Sequence, residues 1–178
     1  MLKKMYHVKN PKIETVKSLE KFLDKYGYDK FKLILLKDFS SYRAFLNLKK
    51  GVPNAMFFNE RGEYVDYRTT PEECNASVGK FFQTIEAINQ VNNPDSLSIQ
   101  DLNHLLQNEI NVKDEITVIM TWAVFAGKVN KDKSLNWITH LKDAQMKGVK
   151  INYYLLNCDV LDTWGIDPKE LKKSKIKG

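Results

Sequence analysis

Residues 116–130, Ile-Thr-Val-Ile-Met-Thr-Trp-Ala-Val-Phe-Ala-Gly-Lys-Val-Asn, constrain the fold more than any other stretch of the chain. Ile116, Val118, Ile119 and Met120 are apolar without strict alternation, which suits a central strand covered on both faces. Gly127 marks a turn, and Leu135, Ile138, Leu141 and Ala144 then recur at helical spacing up to Gly148. Such a strand needs helices on both sides, so the class is α/β with a central sheet flanked by helices.

The remaining segments supply the other layers. Val16, Leu19, Phe22, Leu23 and Tyr26 predict an amphipathic helix from Glu14, stopped by Gly27. Phe31 to Leu36 reads as a second strand buried on both faces, and a short helix through Tyr42, Phe45 and Leu46 leads to Gly51. An apolar strand after Pro53 turns over Asn59-Glu60-Arg61-Gly62 into a hairpin partner from Tyr64 to Tyr67. Pro71, Glu72 and Glu73 open a helix whose buried stripe is Val78, Phe81, Phe82, Ile85 and Ile88. Residues 91–97 form the clearest linker, and Ser98 with Asp101 resembles a capping box for a helix carrying Leu102, Leu105 and Leu106. Val149 to Leu156 is a further strand, and 167–178 is a basic tail.

Composition limits the function classes. A chain of 178 residues, 43% hydrophobic and 28% charged, fits one soluble domain over 1–178, and no apolar run is long enough for a transmembrane segment. The 28 basic and 22 acidic residues leave a charge of +6. The lysines are spread over several helices and both termini without an arginine–aromatic pattern, so they read as solvated faces and no nucleic-acid partner is expected. His7, His104 and His140 have no neighbour at ligand spacing and no phosphate-binding loop occurs, so neither metal nor cofactor is expected. Two cysteines, Cys74 and Cys158, are too few for a disulfide framework. The residues after Met1 are basic without an apolar core, which predicts a cytoplasmic protein; a leader removed earlier would instead place it in the cell envelope or periplasm.

Trp122-Ala123-Val124-Phe125-Ala126-Gly127-Lys128-Val129 resembles the active-site segment of the thioredoxin family, where a hydrophobic strand runs into Trp-Ala-x-Trp-Cys-Gly-Pro-Cys and a long helix. Both cysteine positions are replaced, by Ala126 and Val129. Dithiol exchange needs one thiolate to attack and a second thiol to resolve, so that chemistry is excluded here. The acid that many members bury two residues before the tryptophan is Met120. Gly51-Val52-Pro53 resembles the family's Gly-Ile-Pro-Thr element, which begins an edge-side strand with a cis proline. Val52–Pro53 is therefore the candidate cis bond, the alternative being a trans proline at a strand entrance.

The resemblance runs in an unusual order. Residues 98–166 follow the first part of the family fold, ending in Trp164-Gly165-Ile166, whereas 14–90 follow its later part. The chain thus resembles a thioredoxin-like mixed sheet with the halves of the fold reversed, joined through 91–97. Pieces of two tandem domains, a truncated chain and a swapped homodimer remain open alternatives. In the family the active-site turn and the cis-proline loop form a groove that holds extended peptides by backbone hydrogen bonds. The resemblance implies a groove lined by Trp122, Phe125, Ala126, Gly127, Lys128, Val129, Val52 and Pro53, and a protein or peptide partner. The alternative is that Trp122 and Phe125 only fill the core.

Cys74 carries the competing reading, a single-thiol oxidoreductase. A helix start lowers its pKa, and Glu72 and Glu73 oppose that. Cys158 follows a buried strand and reads as an inert core residue. A Cys74–Cys158 disulfide is not expected, because about three strand spacings of ~4.8 Å exceed the bridging reach of about 7 Å. A structural or assembly subunit whose groove is filled by its own side chains is the third reading.

Overall fold

The computed structural model describes residues 9–48, 51–66 and 97–168, without the side chains of Asp132 and Lys133. The helix expected over 71–88, Cys74, most of the linker and most of the tail lie outside the described residues.

The described elements are β1 (Ile13–Glu14), α1 (Val16–Lys25), β2 (Leu33–Leu35), α2 (Phe39–Asn47), β3 (Asn54–Phe58), β4 (Tyr64–Val65), α3 (Ile99–Asn103), β5 (Ile116–Trp122), α4 (Trp137–Met146), β6 (Ile151–Asn157) and β7 (Val160–Leu161). Five strands form one sheet in the order β2-β6-β5-β3-β4. The first three are parallel, and β3 is antiparallel to both β5 and β4. Segments from both ends of the chain are interleaved in it, with β6 and β5 flanked by β2 on one side and by β3 and β4 on the other. The class is mixed α/β, with helices against both faces.

Strand parity divides the core. Ile116, Val118, Met120 and Trp122 pack with Leu19 and Leu23 of α1 and with Trp137, Ile138 and Leu141 of α4. Ile119, Met56, Phe58 and Leu156 face the opposite way, toward Phe45 of α2 and Ile99 and Leu102 of α3. All seven β5 residues are buried, which is why this run lacks a polar face.

The helix starts follow local chemistry. Thr15 accepts from the Ser18 N–H and Ser18 Oγ accepts in return from the Thr15 N–H, so Thr15 caps α1. Glu14, expected to open that helix, lies in β1 instead. The Phe31–Leu36 strand is shorter than expected: Lys30–Lys32 is a 3₁₀ turn, and β2 sits at a sheet edge with Leu33 and Leu35 half-buried. The capping box at Ser98 is present.

The segment around α3 covers both sheet edges. Tyr64 N–H donates to Leu97 O beside β4, whereas Gln107 N–H donates to Leu35 O beside β2. These bonds occupy backbone groups that a bare edge would leave open. At the hairpin, Gly62 has φ +79, and an added Cβ would lie 3.0 Å from Val112 Cγ2.

Candidate functional site

The C-terminal ends of β5 and β6 meet the N-terminal end of β3. Thr121 Oγ1 accepts from the Asn54 N–H at 2.7 Å and donates to Gly51 O at 3.2 Å. The Val52–Pro53 peptide is cis, so the cis bond expected from the sequence is present. Register pairing of Asn54 with Thr121 sets this loop beside the turn that follows Trp122.

That turn is held through its backbone. Val124–Ala126 is a 3₁₀ turn closed by Gly127 at φ 58, ψ −129, a conformation that favours glycine. Buried Asn130 accepts from the Ala123 N–H at 3.1 Å and donates to Ala123 O at 2.7 Å and Gly127 O at 3.1 Å. Asp159 Oδ2 accepts from the Val124 N–H at 2.7 Å and from Asn157 Nδ2 at 2.8 Å. Lys9 N–H donates to Phe125 O at 2.8 Å, laying the segment before β1 along the turn. Below, β1 pairs in parallel with β7.

Two buried carboxylates lie under this strap. Asp159 is 2% exposed, and burial pushes its pKa up to about 6, against the lowering effect of the Val124 and Asn157 donors and with a further upward push from Glu14. Glu14 Oε2 accepts from Ser18 Oγ at 2.7 Å. Its Oε1 lies 3.3 Å from Lys12 Nζ but accepts no hydrogen bond.

Between turn and loop opens a cavity of about 340 Å³ lined by Tyr42, Phe45, Leu46, Gly51, Val52, Phe125 and Cys158. Its side chains are apolar apart from the Tyr42 hydroxyl and the Cys158 thiol. Burial pushes the Tyr42 phenol up to about 12, with Cys158 and Asp159 adding to the shift. Burial and then the Asp159 charge push the Cys158 thiol up as well, so it stays a neutral thiol. Cys158 is 1% exposed, in accord with the core role expected for it, and its Sγ lies 3.8 Å from Leu156 O. Cys74, the other thiol considered, is outside the described residues.

The expected groove residues divide. Phe125 and Val52 line the cavity, Gly127, Val129 and Pro53 are half-buried nearby, and Lys128 is exposed. Trp122 and Ala126 do not belong in the groove. Trp122 is 0% exposed and stacks on Phe22 with ring centroids 5.1 Å apart, on the sheet face away from Phe45. Ala126 is buried, because the 3₁₀ turn directs it inward.

Asn130, Asp159, Glu14 and Thr121 were missed by sequence reasoning. A carboxylate two residues after a buried strand, as in Asn157-Cys158-Asp159, is the one signal that could have found any of them. Among the described residues no cluster of metal-binding side chains occurs, and no helix is long and apolar enough to cross a membrane. Comparison of the chain with family models, curated proteins and solved structures finds no match.

Proposed function

We propose that the chain is a thioredoxin-like domain in permuted order, without dithiol chemistry, that serves as a protein- or peptide-binding module. One observation carries the reading: Gly51 and Val52 of the cis-proline loop and Phe125 of the turn after the central strand line the same cavity, whose floor is Tyr42, Phe45 and Leu46 of α2 with Cys158. The antiparallel β3 beside β5, followed by the short hairpin strand β4, is consistent with the proline-led strand pair that the resemblance implies.

The two walls suit an extended segment. Among the described residues Val52 makes no backbone hydrogen bond, so it offers a donor and an acceptor to an incoming chain. On the other wall the Phe125 carbonyl is already taken by Lys9, which leaves the Val52 side open. The cavity volume is at the small end for ligand pockets and suits one apolar side chain rather than a large cofactor.

A peptide array read by amide resonances of Val52, Phe125 and Gly127 tests this. Binding shifts those three and leaves the distant hairpin around Gly62 unmoved. Absence of any shift across apolar, aromatic and charged peptides at millimolar concentration refutes the reading.

A further inference from the structure

The turn at the groove gives one backbone acceptor to a segment from outside it. Ala123 O and Gly127 O accept from Asn130 Nδ2, and Val124 O accepts from the Gly127 N–H at 3.3 Å. Those partners all lie within residues 123–130. Phe125 O instead accepts from the Lys9 N–H, at 2.8 Å. Phe125 also lines the cavity, together with Val52.

The segment that supplies this donor is lightly held. Lys9, Asn10 and Pro11 are exposed, and Lys9 N–H to Phe125 O is the one backbone hydrogen bond that residues 9–11 make among the described residues. Firmer attachment begins at Lys12, whose Nζ lies 3.3 Å from Glu14 Oε1, and at Ile13, which pairs with Val160. An exposed hydrogen bond contributes little net stability, because water or another chain replaces its donor readily. The turn itself is fixed by Asn130 and Asp159, so the strap can leave without unfolding it.

We propose, resting on the binding reading above, that residues 9–11 are an internal competitor for the groove: the strap and an extended peptide take the Phe125 carbonyl in turn. A chain recognised through its backbone needs acceptors for its N–H groups. Val52 O meets that need on the loop side, and Phe125 O is the turn-side carbonyl whose present partner is detachable. A peptide bonded to both displaces Lys9. The strap thus holds down affinity in the free chain, and its removal raises it.

The test uses the full chain and, as probe, an end-blocked pentapeptide of alanines around a central phenylalanine, with amide resonances followed during titration. Lys9→Pro removes the donor and keeps the chain length, whereas Lys9→Ala keeps the donor and removes the side-chain charge. Lys9→Pro is expected to bind the peptide about fivefold tighter than wild type, and Lys9→Ala within about twofold of it. In the wild type the Lys9 amide resonance moves on titration to the position of an unbonded amide, while the Ala123 amide stays where Asn130 holds it. Unchanged or weaker binding by Lys9→Pro, with the Val52 and Phe125 resonances shifting in both proteins, overturns the competitor and leaves the groove reading standing. A Lys9 amide that stays bonded in the saturated complex does the same. No shift of Val52, Phe125 or Gly127 in wild type or in Lys9→Pro overturns the binding reading, and this inference falls with it.

Discussion

The two walls of the groove are built in opposite ways. On the turn side, Ala123, Val124, Phe125 and Gly127 each have backbone groups bonded to Asn130, Asp159 or Lys9. On the loop side, Gly51 O is held by Thr121, but among the described residues Val52 has no backbone partner. Buried backbone groups are costly to leave unbonded, so the turn behaves as a fixed platform and the loop as the open edge. A recognition site needs both: rigidity to place the apolar wall, and unpaired groups to receive a partner.

Removing the platform has the largest expected effect. Asn130→Ala deletes three hydrogen bonds to the turn from a side chain that is 1% exposed. Leaving these groups unpaired lowers stability by roughly 4 kcal/mol, measured by denaturant unfolding, and the Ala123 and Gly127 amides lose exchange protection. A cost below about 1 kcal/mol would mean that the turn is held by other contacts.

Next comes the pH dependence of the same wall. The folded-state pKa of Asp159 is raised from 3.8 to about 6, so the folded chain favours the protonated acid. Its stabilising contribution is present in full below about pH 4 and is lost as pH rises through about 6, roughly 3 kcal/mol in all. Thermal unfolding of wild type and Asp159→Asn between pH 4 and 8 reads this directly. The difference between the two curves changes over that window, and parallel curves would contradict the assignment.

The loop side is tested by Thr121→Val, which keeps the shape but removes the acceptor for Asn54 N–H and the donor to Gly51 O. The expected loss is about 1–2 kcal/mol, with displaced Val52 resonances and weaker peptide binding. The smallest effect belongs to an exposed side chain of the turn. Lys128→Gln changes stability by less than about 0.5 kcal/mol, measured by denaturant unfolding.

Much of the frame was legible in the residues. The central strand, the described helix stripes and the Ser98 capping box follow from local chemistry, because periodicity and caps act over a few residues; the cis bond before Pro53 was expected from the resemblance of Gly51-Val52-Pro53 to a family element, since an X-Pro amide by itself favours trans. Trp122 shows how a local likeness misleads. It shares parity with Ile116, Val118 and Met120, so the pleat alone turns it into the α1–α4 core and away from the cavity. Its place in the Trp-Ala turn had suggested a groove residue. The two-residue strands β1 and β7 had no such signal, since a run that short carries no period.

Local pattern thus accounts for the α/β class, the buried central strand, the turn at Gly127 and the absence of a thiol pair at Ala126 and Val129. The like-charge repulsion between buried Glu14 and Asp159, the Asn130 clamp and the cavity shared by Tyr42, Val52, Phe125 and Cys158 arise only when distant segments meet. The reason is that a hydrogen-bond donor or an apolar wall has no meaning until its counterpart is placed within a few ångströms, and here the counterparts lie on separate strands and loops. In this chain the sheet brings them together, by interleaving β3 from one end with β5 and β6 from the other.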